Sequence, residues 1–70
     1  MPVTAAIAAV AELISKVFGF VVDPEGYDRL SRENKLKLIQ RGIDVAITND
    51  DWASCDALFA QLRELRTQSL

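Results

Sequence analysis

The sequence predicts an all-α fold: an apolar N-terminal helix over about residues 3–21, a corner at 23–30, and an antiparallel helical hairpin over about 31–48 and 51–67, together forming a helical bundle. Three observations carry that prediction. Val3, Ile7, Val10, Ile14, Val17 and Val21 recur at alternating steps of four and three, a spacing that averages 3.5 residues and lines six side chains along one stripe of a helix. The runs after Ser31 and after Asp51 each place apolar residues at helical spacing. The joining segments, Gly19 to Gly26 and Asn49 to Asp51, hold the residue types that stop, turn and cap helices.

In the first helix every seam residue is β-branched. Such residues at both core positions of a coiled coil favour trimers or larger bundles over dimers. They are also modest helix formers, so a helix of three short heptads needs something to pack on. The opposite stripe, Thr4, Ala8, Glu12, Ser15, Lys16 and Gly19, is small and polar, with Glu12 four residues ahead of Lys16 in the order that suits an ion pair. Leu13, Phe18, Phe20 and Val22 lie outside the seam and widen the apolar arc, giving the helix a shoulder for its own hairpin.

At the corner, Gly19 supplies a stop, Asp23 a cap and Pro24 a first helical position, for one short helical turn through Leu30. Ser31 is the natural N-cap of the second long helix, with Glu33 in its first turn where the dipole favours an anion. Leu36, Ile39, Ile43, Ala46 and Ile47 share its inner face, while Glu33 with Lys37 and Arg41 with Asp44 are neighbours on the outer one. Gly42 costs up to about 1 kcal/mol against alanine in a helix interior and marks a close helix crossing. Asn49 is the expected left-handed residue ending this helix, and Asp50 or Asp51 the cap of the next. Trp52, Cys55, Phe59 and Leu62 form one line along the last helix, with Leu58 and Leu65 beside it and Ala53, Ala57 and Ala60 allowing close approach. Trp52 is expected in the core near Ile43 and Ile47, with an exposed anchor for a partner as the alternative. Cys55 reads as a small buried hydrophobe.

Composition bounds the function. Seventy residues make a single domain spanning 1–70 that buries only about 60% of its unfolded surface, so a packing partner would add much to its stability. The single cysteine cannot close an internal disulfide, and the absence of histidine removes the usual zinc ligands. Half of the residues are hydrophobic and 26% charged, too apolar for a disordered tail. The net charge of −2 gives no broad attraction for nucleic acid or anionic lipid. Arg29, Arg32 and Lys35 share a stripe that would suit phosphates or an acidic partner, but no aromatics are interleaved with them. With no histidine, no glycine-rich phosphate loop and no nucleophile beside a base at readable spacing, the chain is expected to be no enzyme and to bind no cofactor or metal.

The segment from Ser31 to Leu65, SRENKLKLIQRGIDVAITNDDWASCDALFAQLREL, resembles one helical hairpin of a tetratricopeptide-type repeat, a turn followed by an aromatic and then alanine and leucine spacing. One hairpin without a period implies no solenoid. The whole chain also resembles the short helical proteins that phages and prophages encode, which implies a protein that acts by binding.

The functional expectation is therefore a non-enzymatic assembly or interaction module. It self-associates as a trimer or larger, or docks into a larger protein complex, through Val3, Ile7, Val10, Ile14, Val17 and Val21. Phe18, Phe20, Trp52, Arg29, Arg32 and Lys35 are candidate further contacts. On the phage resemblance it would be a minor virion component or an inhibitor of a host protein, acting in the cytoplasm or within a virion. A membrane reading stays open beside it. Residues 2–22 as one helix would reach about 30 Å, the hydrocarbon thickness. Ten strongly apolar residues at about −0.3 to −0.6 kcal/mol each roughly offset about 2.5 to 3.5 kcal/mol apiece for Glu12 and Lys16. No basic residue precedes the apolar run, which argues against a secretory signal. A weak nucleic-acid binder is the third reading.

Overall fold

A computed structural model describes residues 5–67 as four helices, with no strand among the described residues. Helix α1 spans Ala5–Phe18, α2 Pro24–Arg29, α3 Arg32–Thr48 and α4 Trp52–Thr67. The all-α class and the α3–α4 hairpin are as the sequence predicts. α1 lies across one face of that hairpin, and α2 folds beneath α1.

The first helix ends earlier than its apolar pattern. Gly19 takes a positive φ of 78° and its N–H closes the last turn on the Ser15 carbonyl at 2.8 Å. The left-handed region strains any residue with a Cβ, so this glycine breaks the helix three residues short of Val22. Ser15 then secures the exit: its hydroxyl donates to the Ala11 carbonyl at 2.7 Å and accepts the Val22 N–H at 2.8 Å. Val22 turns inward against the core while Val21 is left 91% exposed.

The corner folds as the sequence predicts. Asp23 caps α2 by accepting the Gly26 N–H, Pro24 opens it, and Tyr27 drops into the core. Ser31 caps α3 by accepting the Asn34 N–H at 3.2 Å. At the far end of α3 the left-handed position falls on Asp50 (φ 56°) and not, as expected, on Asn49, whose φ is −91°. The Asp51 N–H reaches the Ala46 carbonyl at 2.8 Å and the Asp50 N–H the Ile47 carbonyl at 3.1 Å. These are the paired bonds of a Schellman motif, which requires its left-handed residue one place beyond Asn49. Asp51 then starts α4 by accepting the Ser54 N–H at 3.2 Å. Three residues between helices leave little slack, so α3 and α4 run antiparallel in close contact.

The core gathers Val10, Ile14 and Val17 from α1, Tyr27 from α2, Ile39, Ile43 and Ala46 from α3, and Cys55, Leu58 and Leu62 from α4. Ile14, Ile39 and Leu58 are its largest fully buried side chains. Gly42 marks a close approach, as its place in the helix predicts: a Cβ there would stand 3.2 Å from Leu58 Cδ1 and 3.6 Å from Phe18 Cε2. The Glu33–Lys37 pair forms at 3.5 Å, while the Glu12–Lys16 and Arg41–Asp44 pairs are not among the ion pairs of the described residues.

Two stability predictions follow from this packing. Ile14→Ala is expected to cost about 2–5 kcal/mol and Val21→Ala to stay within about 0.5 kcal/mol, read from denaturant midpoints. Gly42→Leu is expected to cost about 1–3 kcal/mol by overpacking. Gly42→Ala should return less than the roughly 1 kcal/mol that alanine gains in an open helix.

Candidate interaction surface

The seam is the first feature to relocate. Val10, Ile14 and Val17 are buried inside the chain's own core, Ile7 is half-buried beside them, and Val3 lies outside the described residues. A side chain with no exposed surface has nothing to offer a partner, so Val10, Ile14 and Val17 do not form a docking stripe in this fold. Val21 is exposed, but it lies beyond the end of α1 and off its stripe. The reason is geometric. A helix lying in the groove between two others needs an apolar stripe at steps of three and four just as a coiled coil does, and α1 uses its stripe on the α3–α4 groove.

The last helix corrects a second expectation. Cys55, Leu58 and Leu62 are buried, while Trp52 is 57% and Phe59 47% exposed. The buried line is thus rotated by roughly one position from the one that runs through both aromatics. Ser54, which caps back to Asp51, and Leu58 take the inner places. Trp52 is not a core residue. It opens α4 immediately after the cap, on the edge of the hairpin turned away from α1.

That edge carries the apolar surface left uncovered. α1 occupies the side of the hairpin where Phe18 meets Gly42 and where Ile7 and Val10 face Gln61 and Leu65. On the outer side Trp52, Asp56, Phe59 and Arg63 follow one another at steps of four, three and four along α4, with Ala53 and Ala60 exposed next to them. Ile47, 42% exposed, stands at the end of α3 beside the turn. An outer helix face that holds a tryptophan, a phenylalanine and two alanines beside Asp56 and Arg63 carries more apolar surface than the charged face that usually meets solvent. A smaller apolar spot sits at the α1–α2 corner, where the exposed Phe20 ring lies 5.6 Å from Phe18.

The basic stripe is committed elsewhere. Arg29 pairs with Glu25 at 3.8 Å, Lys35 faces Asp28 at 3.9 Å and stands 5.5 Å over the Tyr27 ring, and Arg32 Nε donates to the Leu65 carbonyl at 3.0 Å near the end of α4. The last contact satisfies a carbonyl that the helix end leaves without an intrahelical donor. Burial pushes the Tyr27 hydroxyl pKa up. The Asp51 carboxyl is held below the usual carboxylate range by the Ser54 hydroxyl, then by the Ser54 N–H and the charge of Lys16.

Concave sites are slight. A cleft of about 200 Å³ between α1 and α4, lined by Ile7, Val10, Tyr27 and Lys35, is smaller than a usual small-molecule pocket. A larger depression over the outer face of α3, between Asn34 and Asp44, is open to solvent and lined mainly by polar chains. No group of three acidic or cysteine side chains able to hold a metal occurs among the described residues. No described helix is long and apolar enough to cross a membrane; α1, with 14 residues, reaches about 21 Å.

No family model matches the sequence, and the comparisons with curated proteins and with solved structures likewise give no match.

The Asp51 cap yields a test with a defined sign. A carboxyl whose pKa is lower in the folded chain contributes stability that is complete above the unfolded value of about 3.9 and is lost as pH falls through the folded one. Asp51→Ala should therefore melt below the parent chain at neutral pH, with the two melting temperatures converging as both are acidified down through the carboxylate range. Circular dichroism melts across that range measure it.

Proposed function

We propose that this chain is a small non-enzymatic protein-interaction module that docks a helix of its partner on the outer face of the α3–α4 hairpin. The observation that carries the reading is the coincidence of Trp52, Phe59 and Ile47, all exposed, with the exposed Ala53 and Ala60 on one side of a 70-residue chain. Aromatic side chains are favoured anchors at protein interfaces, and small residues beside them let a second backbone come close. A partner helix lying along α4 would cover the aromatics and leave the α1 groove, which the chain fills itself, undisturbed.

The reading keeps the interaction role expected from sequence and moves it from the N-terminal stripe to the last helix. It makes α1 the support of the docking face: by filling the groove behind α3 and α4, α1 holds the two helices at the spacing a partner would meet.

The test is a selection of amphipathic helical peptides from a randomised library on the immobilised chain, with the Phe59→Asp variant as the counter-selection. Peptides that bind the parent chain and lose about tenfold or more in affinity to Phe59→Asp and to Trp52→Asp are the expected result. Both variants should keep the helical circular dichroism of the parent. A selection that enriches no peptide, or only peptides indifferent to both variants, would remove the outer face as a docking surface.

A further inference from the structure

We propose that the helix docked on this face is α4 of a second copy of the same chain, paired antiparallel about a two-fold axis that passes between the two helices at the level between Phe59 and Ala60. The inference rests on the docking face argued above and goes beyond it by naming the occupant.

The argument is the order of the charges. Along the exposed line of α4 one acidic and one basic residue, Asp56 and Arg63, stand on either side of Phe59. They are seven residues apart, about 10 Å along the helix, too far to meet within one copy. Neither belongs to an ion pair among the described residues. A two-fold axis between residues 59 and 60 lies three and a half residues, about 5 Å, from each. It therefore sets Asp56 of one copy opposite Arg63 of the other, and repeats the pair on the far side of the axis. A surface that is mismatched with itself in parallel becomes matched in antiparallel, the condition for an isologous contact.

The uncharged residues obey the same axis. Phe59 meets Phe59 of the second copy along one flank, where aromatic pairs stack offset or edge to face. On the other flank Ala60 meets Ala60, with Ala53 further out, so small side chains let the backbones come close. Trp52 falls against the last turn of the opposite helix, near Arg66 and Thr67, where an aromatic face and a guanidinium attract. The area required is modest. A stable interface starts at about 600 Å² from each partner, roughly an eighth of the 4858 Å² that the chain exposes. α4, with 16 residues and a length of about 24 Å, together with Ile47 at the edge of α3, provides a strip of that order.

Charge reversal tests the pairing without touching the core. Sedimentation equilibrium across a dilution series should find the parent chain at twice its 7.8 kDa mass, reverting to one chain on dilution. Asp56→Arg alone and Arg63→Asp alone each place like charges across the axis, and should weaken self-association about tenfold or more. Mixing those two variants should restore a dimer that neither forms alone, and the double variant carrying both reversals should again pair with itself. Circular dichroism of each variant confirms that the fold is retained. A parent chain of single mass at every concentration overturns the proposal, as does a mass of three chains or more, or a dimer indifferent to both reversals. The peptide selection separates the two readings: a monomeric parent that still selects peptides through Phe59 ends the self-pairing and leaves the docking face standing, while failure of both ends both.

Discussion

The burial of α1 in the groove between α3 and α4 is the contact on which the other features of this chain depend. Ile14, with Val10 and Val17 on either side, enters a space walled by Ile39, Ile43 and Leu58, and each fully buried aliphatic side chain contributes about 1.5–3 kcal/mol by leaving water. A hairpin of two helices by itself has one apolar face too many. α1 covers one face, and Gly19 ends it. The close approach at Gly42 belongs to the same constraint. Leu58 can press on α3 there because no Cβ stands in the way.

Turns at the ends of α3 and α4 make that groove definite. The Schellman bonds from Asp50 and Asp51 and the cap from Asp51 to Ser54 fix two helices to each other across three residues, and at the opposite end Arg32 ties the start of α3 to the carbonyl of Leu65. These are local hydrogen bonds of about 0.5–1.5 kcal/mol each. Their importance lies in register. A hairpin held at both ends presents Ile39, Ile43, Leu58 and Leu62 to α1 as a single surface, and as a consequence turns Trp52 and Phe59 to the other side.

Much of this was legible in the residues. Gly19, Asp23 with Pro24, Ser31 and Asp51 each act through local chemistry, and each stands at the boundary its type implies. What the residues left open was which neighbour an apolar stripe would meet. Steps of three and four describe equally a seam between copies and a stripe in a groove, and only the tertiary packing separates the two. The error at Trp52 has the same root. One residue of helix is 100° of rotation, so a line drawn through Trp52 and Phe59 or one drawn through Ser54 and Leu58 fits the apolar content of α4 almost equally. The left-handed residue at Asp50 instead of Asn49 is a shift of one place, set by where the Schellman bonds close.

On the proposed reading the first helix and the last exchange roles. The most apolar segment of the sequence draws attention as the docking element, yet burying it is what allows a 70-residue chain to hold a core. The last helix carries fewer large apolar residues than the first. Two aromatics, two alanines and a pair of opposite charges would suit a surface that must be tolerated by water when free and covered when bound. A stripe as hydrophobic as that of α1 would associate without discrimination. On α4 the affinity would come from Trp52 and Phe59, and the choice of partner and direction from Asp56 and Arg63.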